Sequence, residues 1–288
     1  MSVAAPPVLR FAPSPNGYLH LGHAYSALVN ARRADSLGAR LLLRMEDIDG
    51  DRCKPEFEAA IIEDLAWLGI TFDVEIRRQS EHFSDYQAAL QELSARGLLY
   101  PCFCTRTEIA RAVAGRRDWP RDPDGSPHYP GACKHMEEGD RARRLASGRP
   151  AALRLDMGRA LASVRPRLNW LEFGEGEEAR EILAEPARWG DAVLARRDIP
   201  ASYHIAVVVD DALQGVTDVV RGQDLFDATS LHRLLQELLG RPHPRYRHHD
   251  LVRDQGGDKL SKRTFAKSIR ALRKEGVSPQ EVRRRFGF

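Results

Sequence analysis

Long apolar runs and cysteine are both scarce in this 288-residue sequence. No apolar run approaches the ~18 residues that a membrane-spanning helix needs, and residues 1–7 lack the apolar centre of a signal peptide. We therefore expect a cytoplasmic protein without a membrane association. The four cysteines do not make a disulfide scaffold in a chain of this length.

The charge is distributed unevenly along the chain. The sequence has 44 basic and 41 acidic residues, a net charge of +3. Residues 241–288 hold 14 Lys and Arg against 5 Asp and Glu, a local charge of +9, which leaves −6 for residues 1–240. A basic terminal segment suits contact with RNA phosphates, and a solvated helix pair is the alternative interpretation.

The first residues predict a strand, a loop and a helix. Residues 8–12 form an apolar run that fits a buried strand, and the prolines within residues 13–17 end it. Apolar residues then recur at helical spacing over residues 19–37, and Gly38 follows as a stop signal. This order is typical of an α/β protein.

Two histidines open this helix. The free amides and the positive dipole end at a helix start attract phosphate, and the imidazoles of His20 and His23 can add hydrogen bonds. Gly22 lets a flat group such as adenine approach the backbone. Two ordinary surface histidines are the alternative.

A second motif with phosphate-binding chemistry lies near the other end of the chain. Lys259 and Lys262 are in a polar stretch that contains glycine and is typical of a loop. Two lysines three residues apart can close over a triphosphate and neutralise the charge that develops on leaving pyrophosphate. A solvated basic run is the alternative.

The remaining apolar runs and the Gly and Pro residues between them predict an interrupted parallel sheet. A strand is predicted at 39–45, helices are predicted at 55–68, 84–96 and 225–239, and a β-branched run at 203–209 fits a buried strand. Alternating strands and helices imply a parallel sheet with right-handed crossovers. We expect a Rossmann-like catalytic domain from residues 1–80 and 192–240. An insertion would span 81–191, and a short basic helical segment would span 241–288.

The insertion contains three cysteines that can meet. Cys102 and Cys104 are separated from Tyr129 and Cys133 by a stretch rich in Pro and Arg. Three thiolates with one oxygen or nitrogen make a closed tetrahedral zinc shell. The candidates for the fourth ligand are Tyr129, His128 and His135. From the residues alone a histidine is favoured, because imidazole is the commoner zinc ligand, and reduced buried cysteines are the alternative. Cys53 stands apart. A glutamate-rich stretch at 172–185 is expected to be exposed.

Together the two phosphate motifs resemble the signatures of class I aminoacyl-tRNA synthetases, and the run at 10–15 ahead of the first resembles the glutamyl branch of that family. The resemblance implies catalytic roles for His20, His23, Lys259 and Lys262. It implies ATP binding by His20, Gly22, His23 and Lys262, with magnesium accompanying the ATP. It also implies that glutamate is bound by Arg10, Phe11, Ala12, Pro13, Ser14, Glu46, Tyr203 and Arg221. Guanidinium groups suit the carboxylates, an anion suits the ammonium group, and a phenol hydroxyl can orient the substrate.

Within that branch the sequence is similar to the truncated paralogues called glutamyl-queuosine tRNA(Asp) synthetases. The resemblance implies structural zinc with Tyr129 as its fourth ligand, no anticodon-binding domain, and a monomer. It also implies ATP, L-glutamate and tRNA(Asp) carrying queuosine as substrates. Three alternatives stay open: a truncated glutamyl-tRNA synthetase that charges a tRNA 3′ end, another adenylyl-transferring enzyme, and a catalytically idle RNA-binding paralogue.

Overall fold

The computed structural model of the chain describes residues 5–174, 178–252 and 267–288. The helices in these residues are α1 (Leu21–Leu37), α2 (Pro55–Trp67), α3 (Phe83–Ala95), α4 (Arg106–Val113), α5 (Glu138–Ala146), α6 (Met157–Ala162), α7 (Tyr203–Leu213), α8 (Ala228–Leu238), α9 (Ile269–Lys274) and α10 (Pro279–Arg284). The strands are β1 (Val8–Phe11), β2 (Arg40–Met45), β3 (Arg77–Arg78), β4 (Leu99–Cys102), β5 (Ala152–Leu155), β6 (Asn169–Phe173), β7 (Ala179–Leu183), β8 (Val193–Ala195), β9 (Asp218–Gly222) and β10 (Arg245–His249). Short 3-10 helices span Gln79–Glu81, Pro186–Trp189 and Gln223–Leu225. None of the helices described here combines the length and the apolar content that a bilayer span requires.

A parallel α/β arrangement forms the centre of the molecule. Strands β1, β2 and β3 run parallel in that order, and β9, β10 and β6 run parallel beside β7, which is antiparallel to β6. The two sheets meet where the Thr217 amide donates to the Val8 carbonyl at 2.9 Å. The α/β class with a parallel sheet is therefore confirmed.

The predicted strand and helix at the start of the chain are confirmed. All four residues of β1 are buried, and α1 covers the sheet with a buried face that includes Ala24, Ala27 and Leu28. The helix ends at Gly38, whose φ of 56° places it in the left-handed region that glycine adopts without strain. The loop between the two elements places the helix start at the carboxyl end of β1.

The β-branched run at 203–209 is not a strand. It forms most of α7, in which Ile205 to Asp211 are all buried. An apolar segment that is enclosed on every side shows no amphipathic period, so its sequence cannot distinguish a buried helix from a buried strand. The correction places Tyr203 at the start of a helix instead of at the start of a strand.

The glutamate-rich stretch is only partly exposed. Glu172 lies on β6 and is 7% exposed, whereas the β7 residues Ala179, Arg180 and Glu181 are exposed. Alternation along a strand puts successive side chains on opposite faces, which explains why one glutamate of the run is buried. Strands β6 and β7 lie within the segment predicted as an insertion, and β6 pairs with β10 of the main sheet while β7 pairs with β6. The predicted domain boundaries stay a prediction.

The insertion also has a sheet of its own. Strands β4, β5 and β8 pair antiparallel in that order. Residue 191, the predicted end of the insertion, comes just before β8. The third strand of this sheet therefore comes from residues that follow the predicted boundary.

Several arginines of the basic terminal segment are used within the fold. Arg273 forms ion pairs with Glu63 at 2.6 Å and Asp64 at 2.9 Å, both on α2. Arg283 donates to the Leu68 carbonyl at 2.6 Å. These contacts dock α9 and α10 against α2 and the residue that follows it, so part of the local charge is used within the fold.

Candidate active site and candidate metal centre

A cleft of about 1300 Å³ runs between the main sheet and the insertion. Ser14, Glu46 and Tyr203 line one end of it, and Cys104 and Tyr129 line the other. The carboxyl ends of parallel strands commonly border ligand sites in α/β proteins. The structure thus brings three of the predicted glutamate-site residues and two of the predicted metal ligands to one cleft.

Two buried arginines share one carboxylate at the first end of the cleft. Asp211, on α7, accepts from Arg44 Nη1 at 2.8 Å and from Arg10 Nε at 3.2 Å. Arg10 is 4% exposed and Arg44 is fully buried. The opposite charges lower the pKa of Asp211 further than burial raises it, so the carboxylate is ionised beside them.

The neighbouring Asp210 is also fully satisfied. It accepts from Arg77 Nε and Gln79 Nε2, both at 2.8 Å, and from the Tyr86 hydroxyl at 3.0 Å. Buried carboxylates need such partners to offset the loss of hydration. Asp210 and Asp211 therefore fix β1, β2 and α7 relative to one another.

Glu46 lies beside this network and faces the cleft. Its amide donates to the Pro13 carbonyl at 3.0 Å, which joins the loop after β1 to the end of β2. Its carboxylate lies 3.5 Å from Arg44 Nη2. Burial raises the pKa of Glu46 although Arg44 and Arg10 act in the opposite direction. A cationic group in the cleft would restore the balance.

Arg221 lies at the end of β9 and has a different kind of environment. Its guanidinium donates to Thr229 Oγ1 at 2.7 Å, to His248 Nε2 at 3.1 Å and to the Tyr203 hydroxyl at 3.3 Å. It is 5% exposed. Among the described residues, no carboxylate lies within ion-pair distance of it, so a buried positive charge is held by neutral groups.

The histidines near Arg221 are neutral. Burial lowers the pKa of His204 to about 4 and lowers that of His232 well below its usual value, and Arg221 acts in the same direction in both cases. Burial raises the pKa of Tyr203 to about 12. These groups supply hydrogen-bonding atoms without an anion, which leaves the charge of Arg221 available to a ligand.

The first predicted phosphate-binding motif lies at the start of α1. His20 Nδ1 accepts from the Gly22 amide at 3.1 Å, and His23 Nδ1 accepts from the His20 amide at 3.1 Å. A methyl group on Gly22 would lie 3.0 Å from the His20 ring, so glycine keeps this turn tight. Lys259 and Lys262 lie outside the described residues. Ser268, which follows their segment, forms a β-bridge with His20.

The other predicted glutamate-site residues take different positions. Phe11 packs into the core under α1. Ala12, Pro13 and Ser14 form the loop after β1. Of these, Ser14 lines the cleft, and its hydroxyl lies 3.7 Å from Cys53 Sγ.

The three predicted metal-binding cysteines come together. The sulfur atoms of Cys102, Cys104 and Cys133 all lie within 4.8 Å of one another. Thiolates that share one zinc ion at ~2.3 Å lie about 3.8 Å apart, so the cluster fits a single ion. Burial raises the pKa of Cys104 to about 11, and a zinc ion bound by the sulfur would lower it.

Tyr129 is the predicted fourth ligand that lies at this cluster. Its hydroxyl is 3.3 Å from Cys104 Sγ and accepts from the Cys133 amide at 2.7 Å. His128 Nε2 lies 2.9 Å from the Arg188 carbonyl instead, and His135 is exposed. Among the described residues, no histidine belongs to the group of clustered metal-ligand atoms. The geometry therefore favours tyrosine.

Residues 8–287 match the family described as tRNA synthetases class I (E and Q), catalytic domain. The chain belongs to this class I synthetase family. It is 45% identical over 285 residues to a Glutamyl-Q tRNA(Asp) synthetase of Rhodobacter capsulatus, covering 98% of this chain and 100% of the relative. It is 40% identical to a protein of the same name from Nocardia farcinica, covering 95% and 81% of the two chains.

Longer relatives and a solved structure share the same region. Glutamate--tRNA ligase 2 of Methylorubrum populi is 40% identical, with 98% of this synthetase and 59% of that chain covered. The crystal structure of a glutamate tRNA ligase from Elizabethkingia meningosepticum in complex with its amino acid superposes with a TM-score of 0.76 at 26% identity. That superposition covers 95% of the synthetase and 58% of the longer chain.

Sequence reasoning missed several residues of the synthetase site. The sequence did not point to four residues that contact the predicted site: Asp211, Arg44, Thr229 and His232. Asp211 pairs with Arg10 and Arg44, and Thr229 and His232 contact Arg221. A signal for Asp211 was present, because two adjacent acids directly follow an apolar run, just as Glu46 follows β2. His232 carried no comparable signal because it lies within an amphipathic helix.

Proposed function

We propose that the synthetase activates L-glutamate with ATP and transfers the glutamyl group to the queuosine base of tRNA(Asp). Relatives named Glutamyl-Q tRNA(Asp) synthetase support the reaction, and one of them matches over its full length. The buried and uncompensated Arg221 carries the choice of amino acid. A guanidinium among neutral partners calls for an anionic ligand, which the side-chain carboxylate of glutamate supplies.

The rest of the amino acid site follows from the same chemistry. Glu46 faces the cleft with a carboxylate that burial disfavours, and the substrate ammonium would relieve that cost. The Tyr203 hydroxyl, 3.3 Å from Arg221, would orient the side-chain carboxylate. Arg10 would act on the α-carboxylate from the end of β1.

The α-carboxylate of glutamate would attack the α-phosphorus of ATP in line with the leaving group. The bond from phosphorus to pyrophosphate breaks, and glutamyl-adenylate forms without a covalent enzyme intermediate. His20 and His23 would stabilise phosphate charge at the start of α1, and Lys259 and Lys262 would act on the leaving pyrophosphate. Magnesium would enter with ATP. An RNA hydroxyl then attacks the activated carbonyl and AMP leaves.

Zinc is proposed as a structural ion held by Cys102, Cys104, Cys133 and Tyr129. The ion would stabilise the fold of this part of the insertion, because structural zinc contributes apparent free energies of order ~10 kcal/mol to small folded modules. Purified protein should contain about one zinc ion per chain. Cys133→Ser should lose the ion and lower the melting temperature, whereas Tyr129→Phe should weaken retention less. Protein prepared without chelator that contains no zinc would refute the site.

An ATP–pyrophosphate exchange assay across the twenty amino acids, without RNA, tests the activation step. Glutamate alone should support exchange. Glutamine should be slower by about 30-fold to several thousand-fold, because an unpaired buried guanidinium costs about 2–5 kcal/mol. Equal exchange with glutamine, or a strict requirement for tRNA, would overturn the assignment. Glutamate-dependent exchange would also exclude an idle RNA-binding paralogue.

The acceptor is tested separately. Glutamate should load onto tRNA(Asp) from cells that make queuosine and not onto the same transcript without it. Periodate cleaves vicinal diols and should abolish loading even when the 3′ end is protected, and binding should weaken with salt. The second candidate is charging of a tRNA 3′ end, which the similarity to glutamate–tRNA ligases favours. Efficient charging of unmodified tRNA(Glu) would establish it.

A further inference from the structure

Glu172 lies behind Arg221 in a line that crosses three neighbouring strands. Arg221 on β9 is the register partner of His248 on β10, and Tyr246 on β10 is the register partner of Glu172 on β6. The pairing of parallel strands thus brings together side chains that are far apart in sequence. The sequence patterns indicated a surface role for Glu172, yet the residue is buried.

The carboxylate of Glu172 is held firmly by its own partners. It accepts from the His248 amide at 2.8 Å and from Trp170 Nε1 at 3.0 Å, and both of its oxygens lie 3.0 Å from His248 Nδ1. Burial raises the pKa of Glu172, but the bonds from His248 and Trp170 outweigh it and lower the pKa below its usual value. The residue is therefore an ionised acceptor.

An ionised acceptor at Nδ1 determines the tautomer of His248. The proton lies on Nδ1 and is donated to Glu172, so Nε2 keeps its lone pair. Nε2 faces Arg221 Nε at 3.1 Å and accepts from it. The opposite tautomer would point a hydrogen at the guanidinium and break this contact.

The spacing of the charges matters as well. A carboxylate in direct contact would form an ion pair with Arg221, as Asp211 does with Arg10 and Arg44. Here the imidazole of His248 separates the two charges. Burial and Arg221 lower the pKa of His248, although its bond to Glu172 acts in the opposite direction. Arg221 is oriented by an anion without being paired to it.

We propose that Glu172 and His248 form a positioning pair that directs Arg221 at the side-chain carboxylate of the amino acid and sharpens discrimination of glutamate from glutamine. The inference rests on the proposed activation of glutamate and names two residues that sharpen it. Neither residue is proposed to touch the substrate. Their action is on the orientation and the free charge of Arg221.

Glu172→Gln tests the pair by ATP–pyrophosphate exchange. An amide can donate to His248 Nδ1, which permits the wrong tautomer. The KM for glutamate should rise about 10-fold, the scale of one hydrogen bond to a charged group, and the preference over glutamine should fall by a similar factor. The KM for ATP should stay within about twofold, since the change acts on amino acid binding. Glu181→Gln, on the exposed neighbouring strand β7, is the matched control and should behave as wild type.

A double-mutant cycle separates positioning from simple packing. If Glu172 acts through His248, Glu172→Gln should add little to the KM effect of His248→Phe. Should Glu172→Gln fail to fold, Glu172→Asp keeps the charge and should give a smaller shift in the same direction. A folded Glu172 variant with wild-type KM and wild-type discrimination would overturn the pair, as would full additivity with His248→Phe. If the wild-type protein shows no glutamate-dependent exchange, the proposed function fails first and this inference fails with it.

Discussion

Two arginines that the sequence placed in one amino acid site have opposite electrostatic surroundings. Arg10 is paired within the protein by Asp211, which also holds Arg44. Arg221 is equally buried but is surrounded by Thr229, Tyr203 and neutral histidines. Among the described residues no carboxylate contacts its guanidinium.

This difference distinguishes two roles for a buried arginine. We call an arginine whose ion pair holds the fold together part of the scaffold, and one whose charge is left for a ligand part of the receptor. A buried ion pair that is complete within the protein holds elements together, and removing one partner exposes an uncompensated charge. A buried charge with neutral partners is costly until a ligand arrives, and that cost becomes selectivity for an anion. Arg10 is thus part of the scaffold as well as of the proposed α-carboxylate site, whereas Arg221 belongs to the proposed ligand site alone.

Removing Arg221 should break the receptor side with the largest effect. Arg221→Gln should lower kcat/KM for glutamate by about 1,000-fold, because a charge-assisted bidentate contact is lost. The stability of the fold should fall by no more than about 1 kcal/mol, since no carboxylate is left unpaired. Exchange kinetics and urea unfolding measure the two quantities. Arg180→Gln on exposed strand β7 is the control. An Arg221→Gln protein that retains wild-type activity would show that Arg221 does not bind the amino acid.

Removing Asp211 should break the scaffold side instead. Asp211→Asn leaves Arg10 and Arg44 without their shared anion and should destabilise the protein by about 3 kcal/mol or more in urea unfolding. Asp227→Asn breaks an exposed ion pair with Arg188 and should cost less than about 1 kcal/mol. Equal losses in the two variants would show that the buried network is not structural.

A smaller change at Tyr203 should sharpen the comparison. Tyr203→Phe removes the hydroxyl that lies 3.3 Å from Arg221 and leaves the ring in place. The KM for glutamate should rise by about fivefold, the scale of one net hydrogen bond, with the KM for ATP unchanged. Steady-state exchange kinetics test this prediction. A change in both KM values would indicate a packing defect instead.

A fall in pH should lower the stability of the fold through His204, a buried histidine near Arg221. The pKa of His204 is lowered by burial to about 4 in the fold, against ~6.5 in the unfolded chain. The unfolded state therefore binds more protons between these values, so stability is complete above pH 6.5 and falls as the pH drops toward 4. His204→Gln should make the decline in melting temperature shallower, and His135→Gln, which changes an exposed histidine, should not. An unaltered slope in His204→Gln would contradict the pKa assignment.

Local signals predicted much of the fold. The sequence predicts strand β1, helix α1 and the stop at Gly38 because short apolar runs, helical spacing and stop residues act over a few residues. The cysteines were also found, since chemistry-bearing residues in an otherwise cysteine-poor chain are conspicuous. The apolar run of α7 predicts a strand instead of a helix, because burial on all sides removes the period that distinguishes the two.

The sequence by itself determined which residues could bind phosphate, thiophilic metal and carboxylate, because those abilities belong to side chains. Only the tertiary structure decided which of the two arginines is balanced and which is left for a ligand. Arg10 meets Asp211 across 201 positions of sequence, and His248 meets Glu172 across 76. The first pairing depends on how α7 packs against β1, and the second depends on strand order and register, where a shift of one residue would turn each side chain to the other face. No local pattern in the sequence records either of them.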